Sequence, residues 1–411
     1  MDVIVIGGGI GGLTLALMLK QAGRSVRVYE IAPEIRPVGV GVSLLPHSTR
    51  ELASIGLLDE LAKVAITTKD SCFFTRFGEF VYREPSGRYA GYEWPQFQIH
   101  RGDLQQVLYQ AARTKIGDDR IVTGWRCTGA AADGDGAVAH FVDTKTGKPL
   151  PSQRGAAVIA CDGIHSAIRK QFYPNEGPPI YSGVNMWRGV TRHKPFLTGA
   201  SYVRAGWLAH GKMVIYPIRD NIDGEGNQLI NWVAEVETPQ YEARDWNRPG
   251  RLEDFIGNFE SWTFDWLNVP DLIRKSEVIL EYPMVDQDPL PRWSFDTVTL
   301  LGDAAHPMYP RGSNGAGQAI LDARALANAF QETDNATQAL KLYEDRRLAT
   351  TARIVQMNRT NPPDVILREV YLRSGDKPFD KLSDLISEEE MAALTDGYKK
   401  VAGYDKQSLA R

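Results

Sequence analysis

Cysteine is scarce in this chain. Cys72, Cys127 and Cys161 are the only three in 411 residues. None stands in CxxC spacing or beside a histidine cluster, so neither a zinc site nor a disulfide framework is indicated, and a reducing compartment is expected. Long apolar runs are missing too. No stretch reaches the roughly 18 residues a membrane helix needs, and no basic segment with a small-residue cleavage site precedes the first apolar run. The expected location is therefore cytoplasmic, with no membrane partner. Charge of one sign is also lacking: 47 Lys and Arg stand against 51 Asp and Glu, a net charge of -4, which gives no footing for nucleic acid. No repeat or low-complexity segment is evident. What remains is ordinary globular composition, 43% hydrophobic and 24% charged, enough for one large unit or two intimate domains. Monomer and homodimer both stay open.

The hydrophobic pattern changes period along the chain. Residues 2–6 form a β-branched run that breaks at Gly7; residues 13–21 are helical and end at Gly23; residues 25–30 read as a second strand. This is a βαβ unit, and right-handed crossover makes its strands parallel neighbours. Two further short strands, residues 157–161 and 297–301, close on Asp162-Gly163 and Gly302-Asp303. Ligands of open parallel sheets bind at the C-terminal strand ends, so three separated parts of the chain converge on one crevice. Residues 181–282 alternate instead, as in 212–216 and 228–233, which suits antiparallel strands with one buried face. The expected fold is α/β. A Rossmann-like dinucleotide-binding domain comprises 1–68, 96–178 and 283–359. A mainly antiparallel sheet domain, 69–95 and 179–282, is inserted in it, and 360–411 form a C-terminal helical tail after helices at 318–330 and 338–359.

Gly7, Gly9 and Gly12 form GxGxxG directly after a strand and at the start of a helix. The first glycine permits the tight turn, the second lets a pyrophosphate approach the backbone, and the third lets helix pack on strand. Glu30, at the end of the second strand, is placed to accept hydrogen bonds from an adenosine ribose. An acid there argues against a 2′-phosphate, which leaves FAD or NAD; the plain alternative is a glycine-rich turn and a solvated glutamate.

The distant segments resolve that choice by resemblance. The run Cys161-Asp162-Gly163-Ile164-His165-Ser166-Ala167-Ile168-Arg169 is similar to the DG motif, and Gly302-Asp303-Ala304-Ala305-His306-Pro307 to the GD motif, of the class A FAD-dependent aromatic monooxygenases, which include 4-hydroxybenzoate and salicylate hydroxylases. Met186-Trp187-Arg188-Gly189-Val190-Thr191, Asp245-Trp246-Asn247-Arg248 and Tyr282-Pro283-Met284-Val285-Asp286 look like the branch containing 5-methylphenazine-1-carboxylate monooxygenase. The resemblance implies the para-hydroxybenzoate hydroxylase fold with a GR2-type FAD domain, FAD as cofactor, NADH or NADPH as transient co-substrate, and dioxygen. It also implies hydroxylation of a small aromatic or fused-ring N-heteroaromatic substrate through a C4a-hydroperoxyflavin, with decarboxylation if a carboxylate occupies the attacked carbon.

Carried onto this sequence, the resemblance assigns Asp303 to the ribityl hydroxyls, and Arg101 with Gln105 to pyrophosphate and ribityl. Pro310, Gly312, Gly315, Ala316 and Gly317 lie at a helix start that faces the flavin edge where negative charge gathers on reduction. Gly41 and Val42 pass close to the isoalloxazine. The resemblance further implies that Asp162 and Gly163, with Arg169 nearby, serve both FAD and nicotinamide; no second GxGxxG is present, which argues for a nicotinamide that docks transiently in a shared groove. Enzymes of this class move the flavin between positions, and Gly39, Gly41, Gly312 and Gly315 are read as serving that mobility as well as packing. His306 is read as structural. Tyr216 is the one catalytic candidate, orienting a substrate hydroxyl or carboxylate, and Trp187 and Arg188 are expected to stack on and pair with an anionic ring. Two alternatives stay open here: a flavin oxidase or dehydrogenase without oxygen insertion, and a flavin redox sensor without turnover. No WxWxIP element of the flavin halogenases is present.

Overall fold

The computed structural model describes residues 1–239 and 248–410. The 245–247 part of the stretch noted above therefore lies outside the described residues.

A six-stranded sheet forms the base of the fold, in the order Ser294–Phe295, Val298–Leu300, Ala157–Ala160, Val3–Ile6, Val26–Glu30 and Ile121–Thr123. All neighbours are parallel except the first pair, a hairpin. Val3–Ile6 is buried at all four positions, as a central parallel strand requires. The helix Ile10–Gln21 starts three residues before the apolar periodicity suggested, because Gly9 takes the extended N-cap conformation and the remaining glycines enter the first turn. Gly12 is there for contact: a Cβ would lie 2.0 Å from the Gly7 carbonyl oxygen. Gly7, at φ 105°, would bring a Cβ to 2.4 Å from the Cys161 carbonyl, so the glycine loop and the end of Ala157–Ala160 touch backbone to backbone.

The second sheet has eight strands, ordered Arg248–Pro249, Ile279–Asp286, Ile180–His193, Gln228–Glu237, Lys212–Arg219, Ser201–Gly206, Asp70–Phe74 and Phe80–Pro85. Only Ser201–Gly206 and Asp70–Phe74 run parallel. Period-two alternation gives this sheet two faces with different tasks. One carries Trp187, Ile215, Trp232 and Ala234 and is covered by Phe255, Phe259, Trp262 and Leu272. The other carries Met186, Tyr202, Val214, Tyr216 and Val233 and looks toward the first domain. A small sheet, Gly41–Leu44, Phe97–His100 and Ile66–Thr67, bridges the two.

The helix Gly315–Glu332 likewise begins earlier than expected, at Gly315 rather than Gln318, and is followed by Ala336–Thr360. Beyond it come Val365–Ser374, Glu388–Ala402 and Lys406–Leu409. These helices are an integral wall. Ile366, Leu367, Val370 and Met391 share a core with Phe73 and Val81 of the sheet, and the buried Tyr398 hydroxyl donates to Asn358 Oδ1 at 2.8 Å. No helix among the described residues is long and apolar enough to cross a membrane, and no cluster among them could hold a metal ion.

Candidate active site

A groove of about 1030 Å³ runs along the C-terminal ends of the parallel strands, past Gly7, Gly9, Glu30, Arg101, Gln105 and Asp162. A cavity of about 390 Å³ continues it between the sheet face and the start of Gly315–Glu332, sharing Gly9, Arg101 and Cys161 with the groove. On one side of the cavity stand Met186, Arg188, Tyr202, Val214, Tyr216 and Val233; on the other, Asp303, Met308, Pro310, Gly315 and Ala316. Strand geometry dictates the first set: Met186 and Arg188 point in, and Trp187 between them points out.

That alternation corrects one expectation. Trp187 is 4% exposed and stacks on Phe255 at 4.9 Å, on the far face of the sheet, and does not reach the cavity. Arg188 does. Its Nη2 donates to the Gly41 carbonyl at 2.9 Å, and its buried Nε has no hydrogen-bond partner. Tyr216 lies flat against Tyr202, centroids 4.9 Å apart. Burial, the largest influence, pushes its phenol pKa up, so the hydroxyl stays protonated and can donate.

In the groove, the two Glu30 oxygens accept from Gly8 N at 2.6 Å and Ala32 N at 2.8 Å, and Gln105 Nε2 donates to Gly8 O at 2.8 Å. The glycine loop is thus held from both sides. Arg101 forms no salt bridge among the described residues and lines both spaces. Asp162 accepts from Ala167 N at 3.0 Å through one oxygen while the other is buried without a partner. Desolvation within the protein raises the pKa of both Asp162 and Asp303, although the Asp303 side chain is accessible where it lines the cavity. Arg169 lies away from the groove. It donates to the carbonyls of Ala304 and Ala305 and pairs with Glu176, lashing the 161–169 and 302–307 segments together.

The helix end facing the cavity carries no side-chain cap, because Asn314 Oδ1 is engaged by His47 Nε2 at 2.9 Å. His47 is buried and its pKa is lowered to about 4, so it is neutral and donates here. The unpaired first-turn N–H groups give that end partial positive charge. Behind it, His306 and Arg347 both bind Asp322. Burial alone would raise the Asp322 carboxyl, yet His306 and Arg347 hold it at about 2. His306 is therefore structural, bound to a carboxylate rather than to backbone groups.

The glycines divide by role. At Gly41 a Cβ would lie 2.7 Å from Tyr216 Cε2 and 2.8 Å from Asn231 Cγ. Its N–H donates to Asn231 Oδ1 at 2.7 Å, so this backbone is docked onto the sheet. A Cβ at Gly312 would overlap the Tyr398 hydroxyl, and one at Gly317 would lie 2.8 Å from Asn314 Oδ1. Gly9 and Gly163 meet nothing within 4 Å, and Gly315 nothing nearer than 4.0 Å. Close packing thus accounts for Gly41 and Gly312, and open space remains at Gly9 and Gly315, where a ligand would run. Val42 lines the cavity, while Gly12, Gly163 and Gly317 do not. Asn231, Tyr202 and Ser313 were not legible as site residues; the period-two pattern places Asn231 on one face with Val233, but nothing local says which partner that face meets.

Groove and cavity form one elongated space with a glycine-lined middle, a free guanidinium beside it, an unpartnered carboxylate oxygen and an uncapped helix end. These features fit a long dinucleotide with anionic phosphates and a redox ring. The family described as FAD binding domain matches residues 1–187 and 270–358. The chain is also 39% identical over 404 residues, 97% of each protein, to phenazine 1,6-dicarboxylic acid hydroxylase PhzS of Lysobacter antibioticus. The chain belongs to the class A FAD-dependent aromatic monooxygenases. Across 87% of this chain and 86% of the relative, it is 32% identical to 3-amino-4-hydroxybenzoate 2-monooxygenase PtnB3 of Streptomyces platensis. An HpxO variant of Klebsiella pneumoniae in complex with FAD has the same fold, with a TM-score of 0.79, 24% identity and coverage of 99% of this chain and 100% of that one. As a class A monooxygenase, the protein uses FAD, NAD(P)H and dioxygen to hydroxylate a small aromatic substrate. The oxidase and sensor alternatives give way to this assignment.

Proposed function

We propose that the substrate is a planar, fused-ring aromatic acid bound between the sheet and the start of Gly315–Glu332, its anionic group on Arg188 and a ring substituent at the Tyr216 hydroxyl. The observation that carries this reading is Arg188: a guanidinium with a buried, unpartnered Nε in a wall shared with Met186, Val214, Val233, tyrosine rings and Glu235, whose carboxylate is bound to Lys212. A charge in such a wall is costly without an anion. The name of the 39% identical relative, a dicarboxylic acid hydroxylase, agrees with it.

In the same reading, the Gly7, Gly9 and Gly12 loop, Glu30, Arg101, Gln105, Asp162 and Gly163 hold the adenosine and pyrophosphate parts of FAD, and Asp303 the ribityl chain. Gly41, Val42, Pro310, Gly315 and Ala316 would border its ring system, with Gly312 and Gly317 packed behind them against Tyr398 and Asn314. When bound, FAD accepts hydride from NAD(P)H and activates dioxygen for transfer to the substrate ring. The chain's own part is electrostatic and steric. The uncapped helix end stabilises negative charge at the adjoining ring edge. Tyr216 donates a hydrogen bond that orients the substrate, and the apolar side chains keep water from the reacting carbon.

The test is NADH and NADPH oxidation by the FAD-loaded protein against phenazine, quinoline and hydroxybenzoate carboxylates, with peroxide and product mass followed together. Stimulated oxidation with a product heavier by one oxygen, or with carboxylate exchanged for hydroxyl, is expected. Turnover of uncharged aromatics alone would overturn the acid assignment.

A further inference from the structure

We propose that a second cavity, next to the reaction cavity, captures the aromatic acid before it reacts, with Arg204 as the anion anchor and the Tyr202–Ser313 hydrogen bond as the partition between the two. The inference rests on the substrate reading above. This second cavity has a volume of about 550 Å³ and is closed on one side by Glu388–Ala402 and the residues after it. Ser43, Tyr202 and Ser313 line both cavities, so a single layer of side chains separates them. The Tyr202 and Ser313 hydroxyls meet at 2.8 Å. Rotating the small Ser313 side chain by one rotamer breaks that bond without moving backbone.

The charges inside are arranged for an incoming anion. Arg204 is 8% exposed and lines this cavity. It donates to Ser71 Oγ at 2.9 Å and lies over the Tyr202 ring at 4.4 Å, yet makes no salt bridge among the described residues. The carboxylates around it are taken. Asp364 is bound through one oxygen to Lys212, which Glu235 shares, and Glu84 and Asp396 both bind Lys399, at 2.6 Å and 3.0 Å. Asp405 caps the N–H groups of Gln407 and Ser408. Arg204 feels the Asp364 carboxylate only at a distance, and a buried guanidinium without a direct ion pair carries a desolvation cost that an arriving carboxylate relieves. Lys400 and Lys406 stand exposed at the mouth and form no salt bridge among the described residues, and the rings of Tyr82, Tyr92 and Tyr404 offer flat faces along the way. Cationic mouth, aromatic walls and buried guanidinium match a planar aromatic acid.

The experiment measures the association rate constant of a phenazine carboxylate, and of its uncharged carboxamide, with the FAD-loaded enzyme by stopped-flow flavin absorbance. The limiting rate of flavin reduction at saturating ligand is recorded alongside. Ala392→Trp, on the cavity wall, is expected to slow association of both ligands about tenfold or more while the limiting rate is retained. The double variant Lys400→Glu/Lys406→Glu should slow the acid about tenfold at low ionic strength, an effect that salt abolishes, and leave the amide unchanged. Arg204→Gln should slow the acid selectively. Should Ala392→Trp fail to load FAD, the two exposed lysines decide the matter. Acid association unaffected by charge reversal and by the plug overturns the antechamber and leaves the substrate reading intact. Turnover of amides but not acids overturns the substrate reading, and slowing of the amide by Ala392→Trp would then still report passage through this cavity.

Discussion

Replacing Arg188 by methionine separates a substrate anchor from a structural side chain. The guanidinium donates to the Gly41 carbonyl, and its buried Nε has no partner among the described residues. Methionine fills much of the same space with a flexible apolar chain. Losing the Gly41 bond costs about 1 kcal/mol, offset in part by removing the unpartnered donor. Losing a charge-assisted bond to a carboxylate costs about 1.5–3 kcal/mol, which raises Kd for an aromatic acid about 10- to 150-fold. The melting temperature should therefore shift by a few degrees at most, since 1 kcal/mol moves a large domain by about 2–4 °C. Because the anchor holds ground and transition states alike, KM rises and kcat changes little. Arg188→Lys keeps the charge without the fork and should fall between. Titration of flavin absorbance and thermal unfolding, run on the same preparations, read both effects. An unchanged Kd in a folded Arg188→Met variant would refute the assignment.

Gly41→Ala places a methyl within 2.8 Å of both Tyr216 and Asn231 and should cost about 1–3 kcal/mol by overpacking; thermal unfolding checks it, and wild-type stability would mean that the strand and sheet do not approach this closely. Tyr398→Phe leaves the buried Asn358 Oδ1 without its donor, at a cost of about 1–3 kcal/mol in urea unfolding, together with weaker FAD retention because the Pro310–Gly312 turn leans on this ring. Asp322 sets an acid limb. Its carboxyl is depressed to about 2, so its contribution is present above the ordinary value of 3.8 and is lost as pH falls through about 2, a change of about 2 kcal/mol. Asp322→Asn should be less stable at neutral pH and lose less stability over that acid window; parallel acid-unfolding curves would count against the His306–Asp322–Arg347 network.

The dinucleotide end of the site was legible because its atoms come from neighbours in the chain. Gly7, Gly9 and Gly12 make the turn, the next residues make the helix, and Glu30 closes the following strand, so local sequence carries nearly all of the geometry. The alternation of residues 181–282 likewise announced a two-faced sheet, and it held the signal that adjacent Trp187 and Arg188 cannot share a face. Other features had no local trace. The Gly41–Asn231 bond spans 190 residues and the Arg188–Gly41 bond 147. The residues beyond Thr360 read only as a polar amphipathic helix and tail, because their apolar positions become a core only against Phe73 and Val81. By itself, then, the sequence determined the glycine loop, the order of strands and helices, and the two-faced sheet, since these depend on short-range periodicity and backbone freedom. The substrate cavity was decided by tertiary structure alone, because its walls come from strands and helices that meet only when sheet register and the burial of one face are settled together.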